Sequence, residues 1–377
     1  MSLFGRRPLT LPGAPDNPKY PRTFSGDPVS ISKYAYATVT FATFATFATF
    51  AIVAVTALAG CGGKSPTSTS SHVTLRLGYL TRITHASALV GIDSGAFARN
   101  LGPTVDFAPQ AFSQGTAETT ALLSGQLDAA YIGPNPAFNA WQKSNGTAVK
   151  IVSGSAAGGT SMVVKPGITS AGDLRGKTVA DPALGGAQDV SLRDWLRKNG
   201  LKTNPQGGGD VHVKPTTPES AIVQQFISNQ IDGALESAPY DVQLVNAGGV
   251  RLWSDPNTIT ILVVRQEFLS AHPGVVAGLV RGQIAANDTI HSNSDAAARS
   301  ANAVLAKALG TGLSPEVLSA SFQETTFTND PGVQSLRDQI DKGVAVGLLQ
   351  PLNLDGIFDL GPLNRELAAA GQPAVAV

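Results

Sequence analysis

One stretch of this chain occurs twice. Residues 124–136 (SGQLDAAYIGPNP) are echoed by residues 228–240 (SNQIDGALESAPY). Each copy follows a helical pattern of apolar residues, and a polar turn then separates that helix from a short apolar run that predicts a buried strand. Each strand ends in a loop that contains proline. Because ligands of open α/β sheets bind beyond the carboxyl ends of the strands, the repeat predicts two α/β lobes that face one another across a cleft.

The most prominent acids of the repeat are predicted to be structural. Asp128 and Asp232 precede their strands, so they lie at the sheet edge remote from the ligand-binding loops, where turn and capping roles are expected. Glu236 lies within the second strand, at the same parity as Asp232. Two interpretations of Glu236 remain open: a buried acid whose partners lie in the core, or a cleft acid that pairs with an ammonium group of a ligand.

Composition excludes several classes of protein. The 27 Lys and Arg residues equal the 27 Asp and Glu residues in number, so the chain lacks a basic field and no nucleic-acid partner is expected. The single cysteine, Cys61, permits neither a disulfide nor a cysteine-based metal site within one chain. The five histidines are scattered without metal-ligand spacing. We therefore predict no metal, no cofactor and no hydrolytic triad.

The N-terminal sequence predicts a lipoprotein. No charged residue occurs in residues 34–63, and this run includes the sequence LAGC, which ends at Cys61 and resembles the bacterial lipobox. We predict that residues 1–60 are a disordered leader with a signal peptide, and that Cys61 is lipidated, anchors the protein to the bacterial cell membrane and begins a flexible tether over residues 61–72. The alternative is an uncleaved transmembrane anchor. Both interpretations place the remaining chain outside the membrane.

Alternating strand and helix patterns fill the rest of the chain. Residues 160–165 form an apolar segment with no room for a helix before it, and residues 258–265 form a second long apolar segment. Both are predicted strands that cross between the lobes, with residues 161–165 and 258–265 as the hinge candidates. The predicted lobe I is discontinuous and comprises residues 73–162 and 261–377, while lobe II comprises residues 163–260. Each lobe is predicted to be a doubly wound, mostly parallel sheet. The mostly helical C-terminal part is expected to cover lobe I.

A glycine-containing loop leads into an amphipathic helix at residues 190–198. The backbone amides of Gly185, Gly186 and Gln188 are predicted to bind an anionic group there, because helix N-termini favour negative charge. Asp189 has two interpretations, either as a ligand contact or as an N-cap residue whose side chain accepts a backbone hydrogen bond.

These segments also carry a family resemblance. Four of them, in this order, resemble the pattern of substrate-binding lipoproteins of ABC importers in the nitrate/sulfonate/taurine group: residues 75–79, residues 122–128 with Gly133, residues 173–180, and residues 232–234 with Pro239. The resemblance implies a type II periplasmic-binding-protein fold that closes on a small solute. It further implies partners in an ABC permease and its ATPase, no enzymatic activity, and a monomer.

The same resemblance places ligand contacts in the loops that follow the strands. It implies six contacts at strand ends and in these loops: Tyr79, His85, Ser113, Asn135, Ser153 and Tyr240. Arg82 is the one basic residue that falls clearly in the candidate loops. A bare nitrate or sulfate would therefore depend on helix amides.

The expected solute follows from a departure from the family pattern. Ser237 stands where family members commonly have an aromatic residue, and Glu236 adjoins it. Because an acid in the pocket disfavours a bare nitrate, we predict a small polar organic solute of the alkanesulfonate or taurine kind. The alternatives are a binder of nitrate or of a pyrimidine precursor of thiamin, an enzyme of the same fold that makes such a pyrimidine, and a sensor that signals through a membrane partner.

Overall fold

The computed structural model of the protein describes residues 72–377. The predicted leader, the lipidated Cys61 and all but the last residue of the predicted tether lie outside the described residues. Within the described part, no helix is both long enough and apolar enough to cross a membrane.

Strands and helices alternate through most of the described chain. Its strands are β1 (Val73–Leu80), β2 (Val105–Phe112), β3 (Ala129–Ile132), β4 (Val149–Gly158), β5 (Thr160–Val164), β6 (Thr178–Asp181), β7 (His212–Pro215), β8 (Gly233–Ser237), β9 (Val250–Asp255), β10 (Thr258–Arg265) and β11 (Thr325–Phe327). Its α-helices are α1 (Ala86–Asp93), α2 (Ala96–Leu101), α3 (Gly115–Leu123), α4 (Pro134–Lys143), α5 (Ala187–Lys198), α6 (Glu219–Ile227), α7 (Tyr240–Asn246), α8 (Gln266–Ala271), α9 (Pro273–Ser292), α10 (Ser294–Leu309), α11 (Pro315–Glu324), α12 (Val333–Ala345) and α13 (Gly361–Ala369).

The strands form two sheets. The first has the order β11-β4-β10-β3-β1-β2 and, with its helices, is called lobe I; the second has the order β7-β6-β8-β5-β9 and is called lobe II. Only β1 with β2 and β3, and β6 with β7 and β8, pair in parallel. The predicted architecture of two α/β lobes is confirmed, but each sheet is mixed rather than mostly parallel. The reason is that β10 enters lobe I directly from lobe II, and so runs antiparallel to β3 and β4.

The chain passes between the lobes at two short connections. Gly159 alone joins β4 to β5, and Pro256 and Asn257 join β9 to β10. The Gly158 amide donates to the Asn257 carbonyl (3.0 Å), so the two connections lie side by side. Gly159 has φ +61°, a left-handed conformation that favours glycine. The sharp turn into lobe II therefore depends on this residue.

The two strands predicted as hinges each belong to a single lobe. β5 pairs with β8 and β9 in lobe II, and β10 pairs with β3 and β4 in lobe I. The sheets therefore change over at the two connections, a few residues from the predicted bounds at residues 162 and 260. An apolar run indicates a strand, but it does not indicate which sheet that strand joins.

The two aspartates of the repeat hold equivalent positions in the two lobes. The Asp128 amide donates to the Arg76 carbonyl (2.9 Å), and the Asp128 carboxylate accepts from the Arg76 amide (2.9 Å). Asp232 makes the same two hydrogen bonds with Thr178 (2.8 and 2.9 Å). Both aspartates thus join the amino end of a strand to its parallel neighbour. Their predicted structural role is confirmed, although they anchor strands rather than cap helices.

Helices cover both faces of the sheet of lobe I. On one face, α9, α10 and α13 share a hydrophobic core with β1 and α1. Tyr131 of β3 also donates a hydrogen bond to Gln283 of α9. On the other face, α12 adds Leu336 and Ile340 to a core that includes α4. The C-terminal helices therefore pack mainly on lobe I, as predicted, and α12 also contacts α5 of lobe II.

Candidate ligand-binding cleft

A cavity of about 320 Å³ lies between the two lobes. Three parallel strands of each lobe point their carboxyl ends at it, namely β1, β2 and β3 of lobe I and β6, β7 and β8 of lobe II. The residues at or just beyond these ends that line the cavity include Leu80, Ser113, Gly133, Pro182, Thr217 and Ser237. The cavity therefore lies at the strand ends to which the repeated stretch pointed.

Several helices begin at the wall of this cavity. Gly115 and Thr116 open α3, Ala187 and Gln188 open α5, and Glu219 opens α6, and all five residues line the cavity. The first amides of a helix have no acceptor within the helix, and the helix dipole adds partial positive charge at that end. The wall therefore favours a negatively charged group at several points.

The glycine loop before α5 reaches the cavity, but its amides are engaged. The Gly185 amide donates to Asp189 Oδ2 (2.8 Å), and the Gly186 amide donates to the Ala183 carbonyl (2.9 Å). Both glycines line the cavity. The prediction that their amides are free for an anion is wrong, because the loop uses them to fold back on itself. The amides of Ala187 and Gln188, in the first turn of α5, are better placed for that role.

Three further predicted contacts line the cavity with side chains that can form hydrogen bonds. These are His85, Ser113 and Gln188. The Leu80 amide donates to His85 Nδ1 (3.2 Å), which leaves Nε2 to carry the proton of the neutral ring. Burial lowers the pKa of His85 well below its ordinary value, and the charge of Arg82 lowers it further. Gln188 Nε2 donates to Ser237 Oγ (3.0 Å) within lobe II.

Four other predicted contacts lie behind the wall. Tyr79 is buried in the core of lobe I that β1 shares with α1, α9, α10 and α13. Ser153 is buried and donates to the Asn329 carbonyl (3.1 Å). Asp189 is buried against Arg193, with which it forms an ion pair (2.5 Å). Asn135 Nδ2 donates to the Gly185 carbonyl (3.0 Å), so this side chain links the lobes instead of lining the cavity.

Glu236 and Tyr240 also lie outside the lining. Glu236 is almost fully buried in β8, with Oε1 lacking a hydrogen-bond partner among the described residues. Burial raises its pKa well above the ordinary value, and Glu219 raises it further. Tyr240 packs against the core of lobe II. Of the two interpretations of Glu236, its position agrees with the buried acid. The described residues of the core, however, supply no hydrogen-bond partner for its Oε1 atom.

Two charged residues that the sequence did not assign to the site face each other across the cavity. Arg82 follows β1 in lobe I, and Glu219 opens α6 in lobe II. Arg82 Nη2 lies 2.5 Å from Glu219 Oε1, and both side chains line the cavity. Sequence reasoning noted Arg82 as a basic residue near the loops, but it had no signal for Glu219.

Buried acids surround this ion pair. Burial raises the pKa of Glu118, Asp181, Glu219 and Glu236, and the Arg82 guanidinium partly offsets the increase for all of these except Asp181. Both carboxylate oxygens of Glu118 lack a hydrogen-bond partner in the described chain. Arg82 is therefore held in an environment rich in carboxyl groups. In residues 72–377, no three His, Cys, Asp or Glu side chains are grouped so as to hold a metal ion.

A second ion pair joins the lobes outside the cavity. Arg251 of β9 lies 2.6 Å from Glu324 Oε1 at the end of α11, and 3.5 Å from Asp241 Oδ2 of α7. Asp241 is fully buried. Burial, and then the neighbouring Glu324, raise the pKa of Asp241 to about 7.

Two α/β lobes with a cavity at their strand ends define a class of two-lobed α/β folds. The sequence places the chain within that class: residues 68–306 match the model of the NMT1-like family, and the chain belongs to this family. A curated relative is the taurine-binding periplasmic protein of Escherichia coli (strain K12), which is 29% identical over 215 residues. That match covers 55% of this chain and 64% of the relative, so the chain spans less than two thirds of the relative's length.

Solved structures share the fold at low sequence identity. The alkanesulfonate-binding protein SsuA from Xanthomonas axonopodis pv. citri, bound to MOPS, has a TM-score of 0.63 and 18% identity, covering 76% of this chain and 98% of its own. The periplasmic nitrate-binding protein NrtA from Synechocystis PCC 6803 has a TM-score of 0.66 and 15% identity. This match covers 80% of the present chain and 90% of NrtA. The predicted type II periplasmic-binding-protein fold is confirmed.

Proposed function

We propose that this protein is the extracytoplasmic solute-binding component of an ABC importer and passes its solute to a permease and ATPase. The observation that carries the proposal is the cavity between two lobes, bounded by six strand ends and by helix N-termini. Membership of the NMT1-like family supports it. The relatives and neighbours named above are binding proteins, which favours binding over catalysis. The proposal includes monomeric binding and a lipid anchor at Cys61.

The proposed solute is a small polar organic molecule of the alkanesulfonate or taurine kind. The cavity of about 320 Å³ falls at the lower end of the range typical of small-molecule sites, roughly 300–1,000 Å³. Helix N-termini at its wall suit an anionic head group. Hydrogen-bonding side chains such as Ser113, Thr116 and Gln188 suit a polar solute. These features support an organic anion or zwitterion over a bare nitrate.

Isothermal titration calorimetry of the purified full-length protein tests the solute class. Taurine, ethanesulfonate, nitrate and the thiamin pyrimidine are titrated separately. We expect saturable one-to-one binding of a sulfonate, at least about tenfold tighter than any binding of nitrate, because nitrate is too small to reach both lobes at once. Absence of heat from both sulfonates at millimolar concentration would overturn the proposed solute class.

Metabolic labelling with radioactive palmitate tests the anchor. The full-length chain expressed in a bacterial host is expected to incorporate the label and to sediment with membranes, because the LAGC sequence resembles a lipobox. Cys61→Ser is expected to lose the label, since it removes the thiol that carries the lipid. Equal labelling of the two proteins would refute lipidation at Cys61.

A further inference from the structure

We infer that the Arg82–Glu219 ion pair takes the place of a zwitterionic solute and opens when such a solute binds, with Arg82 receiving its acidic group and Glu219 its ammonium group. This inference rests on the proposed function and specifies how the same cavity selects its solute. It makes Glu219 the residue that separates aminated from non-aminated sulfonates.

The position of the pair is the first support. Arg82 belongs to lobe I and Glu219 to lobe II, and their charged atoms meet across the cavity at 2.5 Å. The side chains are 17% and 10% exposed, so the pair is largely withdrawn from solvent. A solute that enters the cavity must either bind beside this pair or replace its contacts.

The charge inventory of the cavity is the second support. Arg82 is the only Lys or Arg among the lining residues, and Glu219 is the only Asp or Glu. A simple anion that took Arg82 would leave the Glu219 carboxylate without a cation in a poorly solvated site, which is costly. A zwitterion supplies both partners and keeps the cavity neutral. The geometry therefore selects against ions of a single charge.

The surroundings of Arg82 are the third support. Glu118 of lobe I and Glu236 of lobe II are buried near Arg82 and have unpartnered carboxylate oxygens among the described residues. Burial raises the pKa of both carboxyl groups and the charge of Arg82 lowers it in part, so both lie within electrostatic reach of the guanidinium and favour its retention when Glu219 turns to a new partner. Arg82 can thus stay at the cavity wall and receive a sulfonate, while the freed Glu219 receives an amine.

Calorimetry with taurine and ethanesulfonate, which differ by the amino group, tests this inference. For the unmodified protein we expect taurine to bind at least about tenfold more tightly than ethanesulfonate. Glu219→Gln is expected to weaken taurine binding by about 10- to 100-fold and to leave ethanesulfonate binding equal or tighter, since it removes only the partner of the amine. Glu219→Asp keeps the charge and is expected to keep the preference for taurine.

Glu324→Gln is the matched control, because Glu324 also pairs with an arginine across the lobes but lies outside the cavity. It is expected to leave the ratio of the two affinities unchanged. Equal affinities for both sulfonates in the unmodified protein, or an unchanged ratio in Glu219→Gln, would overturn the inference while the proposed function stands. Failure of the unmodified protein to bind either sulfonate would overturn both the inference and the proposed solute class.

Discussion

Replacing Arg193 with methionine is expected to lower the free energy of unfolding by about 3–5 kcal/mol, because it leaves a buried carboxylate without its cation. Arg193 is fully buried on α5, where Nε donates to Asp189 Oδ1 (2.5 Å) and Nη1 donates to the Asn204 carbonyl. Asp189 Oδ2 in turn accepts a hydrogen bond from the Gly185 amide. Loss of the guanidinium therefore disturbs the loop at the cavity as well as the core of lobe II.

Urea denaturation followed by circular dichroism measures this effect. Arg197→Met is the control one turn further along the same helix: Arg197 Nη2 lies 2.8 Å from Asp194, but the Arg197 side chain is 50% exposed. Its loss is expected to cost less than about 1 kcal/mol. The double variant Arg193→Met with Asp189→Leu is expected to recover part of the lost stability, since it removes the unpaired charge. Similar losses for Arg193→Met and Arg197→Met would contradict the buried-pair argument.

Removal of the Asp241 carboxyl group is expected to make the protein more stable at pH 8, by about 2–4 kcal/mol for Asp241→Asn. The pKa of Asp241 is raised to about 7 in the folded protein. Between about pH 4 and pH 7 the folded state therefore holds a proton that the unfolded chain releases. The contribution of this group to stability is present below about pH 4 and is lost as the pH rises towards 7.

Denaturation at pH 5 and pH 8 separates this contribution from those of other acids. Asparagine resembles the protonated acid and does not titrate, so the stabilisation by Asp241→Asn should be about 2–3 kcal/mol smaller at pH 5 than at pH 8. Glu118, Asp181, Glu219 and Glu236 have raised pKa values in both proteins, so their effects cancel in the difference. Asp341→Asn, at an exposed position, should change stability by less than about 0.5 kcal/mol at either pH. An Asp241→Asn difference that does not change with pH would contradict the assignment.

Local patterns were enough to predict most elements of this fold. The amphipathic helix predicted at residues 190–198 lies within α5, because apolar periodicity is encoded within the segment itself. The repeat also predicted the position of the cleft, because the carboxyl ends of parallel strands lie at one edge of each sheet. The antiparallel strands were missed, because pairing depends on how the chain enters a sheet and not on its local composition.

The chemistry of the cavity was less accessible from the sequence. Tyr79 lies close to the end of β1, as expected, but nothing local shows whether such a side chain points to the cleft or to the covering helices. Gly185 and Gly186 marked a loop, yet Asp189 and the Ala183 carbonyl decide which amides remain free. The pairing of Arg82 with Glu219 joins distant parts of the chain, so only the folded structure brings it into view.

The two connections between the lobes also limit how the protein can move. One residue forms the first connection and two form the second, so neither is long enough to let the lobes drift apart. Two fixed points define a line. Relative motion of the lobes is therefore restricted mainly to rotation about the line through Gly159 and residues 256–257, a single mechanical degree of freedom. Opening and closing can then be described by one angle, which a distance probe across the cavity would follow directly.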